Sequence, residues 1–298
     1  MEFISAMSNT KRLWTILGLI LLLSFSVLGY MGREIYLKAP PVPELVRTDS
    51  GRTIYTRDDI ERGRQVWQSI GGHQLGSIWG HGSYVAPDWS ADWLHREAMI
   101  LLERWAQAGY GRAYADLGQG EQATLQARLR TELRTNRYEP ATGTVTVSEE
   151  RAAAIADVAG HYEALFGPEP TLSVLRSQYA IAENPVPDPG RRAALAAFIF
   201  WSAWSTVTNR PGEDVSYTSN WPSEPLLGNT PTTPTFLWTM VSILFLLAGV
   251  GALAWYHAAQ HRDEPPVVPD ADPLRSLKVT PSMRATAKYF WLVVALFA

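Results

Sequence analysis

The chain has 298 residues, with 26 basic and 29 acidic side chains, six histidines and no cysteine. The absence of cysteine excludes a disulfide framework, a thiolate metal site, an iron–sulfur cluster, a cysteine nucleophile and a covalently attached haem. A net charge of -3 gives no electrostatic reason to expect a nucleic-acid partner.

The first uncharged block covers residues 13–32 and predicts a transmembrane helix. Its helix would rise about 30 Å, the thickness of the hydrocarbon core of a bilayer. A cleaved signal peptide is the alternative, but its apolar region is usually about 7–15 residues long and a small-residue cleavage site follows it. We expect an uncleaved anchor after a cytoplasmic tail, residues 1–12. Met7 offers a second start, which would make residues 1–6 an expression scar.

A second uncharged block, residues 236–257, predicts another transmembrane helix with tryptophan near both ends, as is typical at membrane interfaces. A third apolar block begins at residue 289 and runs to residue 298. Ten residues cover only about half of a bilayer. We therefore expect residues 289–298 to begin a third transmembrane helix, truncated here, and the sequence to be a fragment of a polytopic protein.

The basic residues predict the orientation of these helices. Lys11 and Arg12 precede the first helix, and five more basic residues lie in the loop over residues 258–288. The positive-inside rule places both segments in the cytoplasm. Residues 33–235 would then form one outward-facing domain.

The outward domain is expected to be mainly helical, because its apolar residues recur at helical spacing and several capping signals are present. Four helices are predicted: from a capping box at Thr56–Asp59 towards Ser69, from a cap at Ser90 to about Ala108, over Glu121–Thr135, and from a cap at Ser148.

Residues 193–208 are sixteen uncharged residues, slightly too few to span a bilayer. We expect a buried or interfacial helix that Trp201 and Trp204 anchor. A transmembrane helix is the alternative, and it would invert the orientation of everything downstream.

Histidines are the candidate metal ligands. His73, His81 and His95 lie in one glycine- and tryptophan-rich stretch, but their spacing matches no standard metal site. We expect them to form local hydrogen bonds. His257 and His261 are four residues apart on one helix face, where a polar helix end is the simpler interpretation. The residues by themselves predict no catalytic site.

Two motifs carry a family resemblance: Gly63–Trp67, and the loop His81–Pro87. Both resemble the small c-type cytochrome subunit of cytochrome-dependent nitric oxide reductase, in which a C-x-x-C-H haem motif lies between them. Here Gly72–Gly76 takes the place of that motif, and neither cysteine is present. A haem-free domain of this ancestry fused to a polytopic body is similar to quinol-dependent nitric oxide reductase, of the haem-copper oxidase superfamily. Residues 221–229, 233–239 and 288–291 resemble the same family.

The resemblance implies a fold of transmembrane helices plus a periplasmic, helical, cytochrome-c-like domain that lacks haem. It implies the N-terminal portion of a multi-pass enzyme of the bacterial inner membrane, with a cytoplasmic N-terminus. The enzyme would reduce two nitric oxide molecules to nitrous oxide and water with electrons from a quinol. The outward domain would cap the cofactor-bearing body.

The resemblance also implies the cofactors. Two b-type haems and a non-haem iron would be held by later spans, beyond residue 298, so no catalytic residue and no haem or iron ligand is expected here. A calcium ion would take the carbonyl oxygen of Gly82 and the hydroxyl of Tyr84; a Tyr84 hydroxyl that only forms a hydrogen bond at the interface is the open alternative. The expected partners are the rest of the chain, the lipid bilayer and a second copy in a homodimer.

Two other function classes are alternatives. A two-span membrane sensor would carry an extracytoplasmic ligand-binding domain. A sensor usually continues into a long soluble module, whereas here about thirty residues after residue 257 lead into another apolar block. A noncatalytic assembly subunit would be complete in itself, and the cut third block argues against it.

Overall fold

The structure is a computed structural model that describes residues 2–260, together with Tyr289 and Val294. It is mainly helical, as predicted. Its first unit is Met1–Leu237 and its second is Trp238–Ala298. The α-helices described are α1 (Glu2–Lys38), α2 (Arg57–Ser69), α3 (Trp89–Tyr110), α4 (Gln119–Arg134), α5 (Glu149–Leu165), α6 (Ser173–Gln178), α7 (Pro189–Val207) and α8 (Thr233–Gln260).

Two helices are long and apolar enough to cross a membrane: Thr10–Lys38 within α1 and Phe236–Gln260 within α8. Their apolar side chains are exposed throughout, so each would present an uninterrupted hydrophobic surface to water. Such surfaces are stable in lipid, and the chain is a membrane protein. The predicted third span, residues 289–298, lies outside the described residues apart from Tyr289 and Val294. The predicted loop lies outside them from residue 261 onward.

The core of the domain is built around α7, which packs against α2, α3 and α5. This helix is the one predicted over residues 193–208, and its residues from Ala194 to Phe200 are all buried within the domain. The helix is neither transmembrane nor interfacial, because its apolar surface packs against three neighbouring helices. Trp204 lies in the core, while the Trp201 indole donates a hydrogen bond to the Pro41 carbonyl oxygen at 2.9 Å.

Two of the three predicted helix caps are found in the structure. Thr56 and Asp59 form a reciprocal capping box before α2, and the Ser148 hydroxyl caps α5. The predicted cap at Ser90 is wrong, because Asp88 caps α3 and Ser90 lies in its first turn. The two oxygens of a carboxylate accept more hydrogen bonds than one hydroxyl, so Asp88 satisfies both the helix and Ser90.

A small sheet in the domain was not predicted. Its four strands pair in the order β2-β1-β6-β5, with β1 and β6 parallel and the other pairs antiparallel. Strands of two to four residues are too short to show a period-2 pattern in the sequence. The strands described are β1 (Leu45–Thr48), β2 (Thr53–Thr56), β3 (Ser77–Ile78), β4 (His81–Gly82), β5 (Tyr138–Glu139) and β6 (Thr144–Val147).

Candidate functional site

The segment between α2 and α3 carries both residues that the resemblance implies as calcium ligands, Gly82 and Tyr84. It contains a two-stranded antiparallel hairpin, in which β3 pairs with β4. The Ser83 amide donates to the His73 carbonyl oxygen at 2.7 Å and closes the segment after β4. The Tyr84 side chain is 89% exposed, and Gly82 is exposed as well, so the segment presents both residues to the outside.

Gly82 is required by a close approach of backbone. Its φ is +140°, and a Cβ there would lie 2.4 Å from the Gly76 carbonyl oxygen and 2.9 Å from that of His73. Only glycine adopts this conformation without strain and without a clash. The sequence therefore specifies a sharp, closely packed loop at the position of the implied ligand.

A tryptophan fills the space beside the five residues Gly72–Gly76. A Cβ on Gly76 would lie 2.3 Å from the Trp89 Nε1 atom, and the Trp89 side chain is fully buried. Further aromatic rings surround Trp89 edge-on, with centroids 5.5–6.3 Å away: Trp67, Tyr162, Phe166 and Tyr179.

A buried ion pair joins α3 to α5. The Arg151 Nε atom donates to Glu97 Oε1 at 2.8 Å, and the Trp93 indole donates to Glu97 Oε2 at 3.0 Å. The exposed fractions of the Arg151 and Glu97 side chains are 4% and 1%. Sequence reasoning missed this pair, because its members are 54 residues apart and no local pattern links them.

A second polar group connects α3 and α5. The Tyr162 hydroxyl donates to Asp92 Oδ2 at 2.8 Å, and Arg96 Nε donates to the same oxygen at 2.7 Å. Burial, and then the Asp92 charge, raise the pKa of Tyr162 well above its ordinary value. Burial, and then the Arg96 charge, lower the pKa of His161. Both shifts favour the neutral forms, a neutral phenol at the buried Tyr162 and a neutral imidazole at the partly buried His161.

The predicted local hydrogen bond is found for His73, whereas the partner of His95 is 129 residues away in the sequence. The His73 Nδ1 atom lies 2.6 Å from the carbonyl oxygen of His81, and the His95 Nδ1 atom lies 2.9 Å from Glu224 Oε2. Among the described residues, no three metal-ligating side chains come together. His257 lies in α8, and His261 lies outside the described residues.

The comparison with known families decides the identity. Residues 43–223 match the model of the NorB cytochrome c-like domain of nitric oxide reductase, and this match covers more than half of the chain. The chain belongs to this family. The recognition of a nitric oxide reductase N-terminal part and the predicted fold class are both confirmed. No curated protein matches the chain.

The cytochrome c-like domain of this nitric oxide reductase chain does not fit a covalently attached haem. Thioether attachment needs two cysteines, and Gly72–Gly76 contains neither. By its resemblance to the haem motif, Gly76 takes the position of the motif's histidine, and Trp89 fills the space that a side chain at Gly76 would need.

Proposed function

We propose that the chain is the N-terminal portion of a quinol-dependent nitric oxide reductase. The reaction converts two nitric oxide molecules and one quinol into nitrous oxide, water and the quinone, so the two electrons and two protons of the quinol balance the equation. The observation that carries this proposal is the match to a nitric oxide reductase cytochrome c-like domain in a chain that has no cysteine to attach a haem.

The absence of cysteine supports the proposed electron donor. A cytochrome-fed reductase would pass electrons through a haem in this domain, and the domain has no cysteines to attach one. A donor that reaches the enzyme by another route is then needed. A quinol dissolves in the bilayer, in which the two apolar helices anchor the chain. The match to a reductase family favours this function over the two-span sensor.

The cofactors would be held by the rest of the polytopic chain. Two b-type haems would transfer the electrons, and a non-haem iron beside one of them would bind nitric oxide. The chain would have its N-terminus in the cytoplasm of a bacterium and its domain in the periplasm, in contact with lipid and in a homodimer. The domain would cap the cofactor-bearing body and shield it from bulk water. Deletion of residues 34–230 without loss of assembly or turnover would contradict the capping role.

A calcium ion would join the domain to that body. Calcium takes six to eight oxygen ligands, and the Gly82 carbonyl and Tyr84 hydroxyl lie two residues apart on one exposed loop. They fit part of such a shell, and the body would supply the remaining oxygens. Both residues are presented outward, which is what a shared site needs.

The test is electron-donor specificity of the purified full-length protein. Nitric oxide consumption is followed with an electrode, once with a reduced soluble quinol and once with reduced cytochrome c. We expect consumption with the quinol and not with the cytochrome. Consumption with cytochrome c alone would overturn the proposed donor, and no consumption with either would overturn the enzyme itself.

A further inference from the structure

The Asp88 carboxylate joins the hairpin to the start of α3. Its Oδ1 atom accepts hydrogen bonds from the Ala91 amide, at 3.0 Å, and from the Ser90 hydroxyl. Its Oδ2 atom accepts from the Ser77 hydroxyl at 2.8 Å and from the Gly80 amide at 2.6 Å. One oxygen therefore caps the helix, and the other holds the hairpin.

The hairpin turn needs such support. Trp79 and Gly80 join the paired strands, and both have positive φ, 55° and 77°. This is the type I′ geometry that two-residue hairpins use, but it is strained for tryptophan. The Trp79 amide donates to the Ser90 hydroxyl at 3.1 Å, so Ser90 and Asp88 together hold both turn residues.

The start of α3, to which Asp88 connects the hairpin, is packed into the core. Asp88 is followed by Trp89, which is fully buried in the aromatic cluster, and α3 packs against both α5 and α7. The Asp88 carboxylate thus fixes the hairpin to the start of α3, while the Trp79 indole fixes it to α7 by donating to the Ser202 carbonyl oxygen at 2.9 Å. Gly82 and Tyr84 follow Gly80 by two and four residues, so any movement of the turn displaces both.

We propose that Asp88 is the positioning residue for cation binding by this loop. Its Oδ2 atom holds the hairpin at the position from which the Gly82 carbonyl and the Tyr84 hydroxyl reach the ion. The assignment rests on the proposed calcium site, and Asp88 acts on the ion only through the hairpin.

Substitution Asp88→Asn separates the two tasks of the carboxylate. The amide oxygen still accepts from Ala91, and asparagine is a favourable helix cap. The amide nitrogen can no longer accept from the Gly80 amide, so the hairpin loses this hydrogen bond while the Trp79 contacts and the helix cap remain. Asp188→Asn is the matched control: the Asp188 carboxylate caps α7 through the Arg191 amide at 2.7 Å, and its described hydrogen bonds are confined to that helix start.

The experiment uses the purified full-length protein and two measurements. Hydrogen exchange is followed in peptides that cover residues 77–82, and calcium affinity is measured by titration with calcium chloride after chelation. We expect Asp88→Asn to speed exchange in these peptides and to weaken calcium binding, each by about tenfold, since a hydrogen bond to a charged group is lost. Asp188→Asn should leave both within about twofold of the wild type.

Different results would contradict the role of Asp88 and the calcium site itself. Unchanged exchange and unchanged calcium affinity in Asp88→Asn would overturn the positioning role alone. Faster exchange with unchanged affinity would also overturn it, because the hairpin would then not control the ion. Failure of the wild type to bind calcium would overturn the calcium site itself, and with it the role of Asp88 in cation binding. Should Asp88→Asn fail to fold, Ser77→Ala is tested by the same two measurements. It removes one hydrogen bond to Asp88 Oδ2 and leaves the helix cap, so faster exchange with weaker calcium binding would support the role of Asp88, and unchanged values would overturn it.

Discussion

The indole of Trp89 lies against the backbone of Gly76, so close that a single added methyl group would meet its Nε1 atom at 2.3 Å. Trp89 is fully buried, so the space beside Gly76 belongs to the packed core of the domain.

Gly76→Ala should lower the stability of the domain by about 1–3 kcal/mol, because the new methyl group overpacks Trp89 and also meets the Pro87 carbonyl oxygen at 2.9 Å. Thermal unfolding of the full-length protein, followed by tryptophan fluorescence, measures the change. Gly109→Ala is the control: nothing lies within 4 Å of a Cβ there. In α3 it should raise stability by up to about 1 kcal/mol. Equal behaviour of the two variants would contradict the packing described.

Arg151→Met should destabilise the domain by about 3–5 kcal/mol, because it leaves the Glu97 carboxylate buried without its cation. Adding Glu97→Gln to this variant should recover part of the loss, since the uncompensated charge is then removed. Comparison of the free energies of unfolding of the single and double variants gives the coupling free energy between Arg151 and Glu97.

The control for the buried pair is Arg104→Met. Arg104 pairs with Asp157 at 2.6 Å, but both side chains are about half exposed. Its loss should cost less than about 1 kcal/mol, because water screens the pair. Similar costs for Arg151→Met and Arg104→Met would show that burial does not set the strength of the pair.

His161 should make the stability of the domain depend on pH. Its pKa is lowered in the folded state from 6.5, so the unfolded chain binds a proton more readily than the folded one. This contribution is fully present above about pH 6.5 and is lost as the pH falls below it. His161→Gln should flatten the fall in unfolding temperature between neutral and mildly acidic pH. If the unfolding temperature of His161→Gln fell as steeply as that of the wild type, a group other than His161 would cause the pH dependence.

Tyr84→Phe should weaken calcium binding and leave the unfolding temperature of the calcium-free protein unchanged. The side chain is 89% exposed, so the hydroxyl adds little to the packing of the domain. Atomic absorption of the purified full-length protein gives the calcium content. Tyr110→Phe, another partly exposed tyrosine, is the control and should retain calcium. Full calcium content and activity in Tyr84→Phe would show that Tyr84 is not a ligand.

Much of this protein can be predicted from short stretches of sequence, because the physical causes are local. A run of uncharged residues over 13–32 is enough to indicate a membrane helix, and Thr56 with Asp59 is enough to indicate a helix start. The replacement of a haem motif by Gly72–Gly76 is likewise visible in five residues, and it points to the family.

The tertiary structure alone decided how distant residues meet. Burial of α7 depends on three helices that surround it, and the pairing of Arg151 with Glu97 depends on how α3 packs against α5. The role of Asp88 depends on a hairpin that folds back onto it. Each of these contacts joins segments whose meeting has no local signature, so only packing could show that Trp89 fills the space beside Gly76.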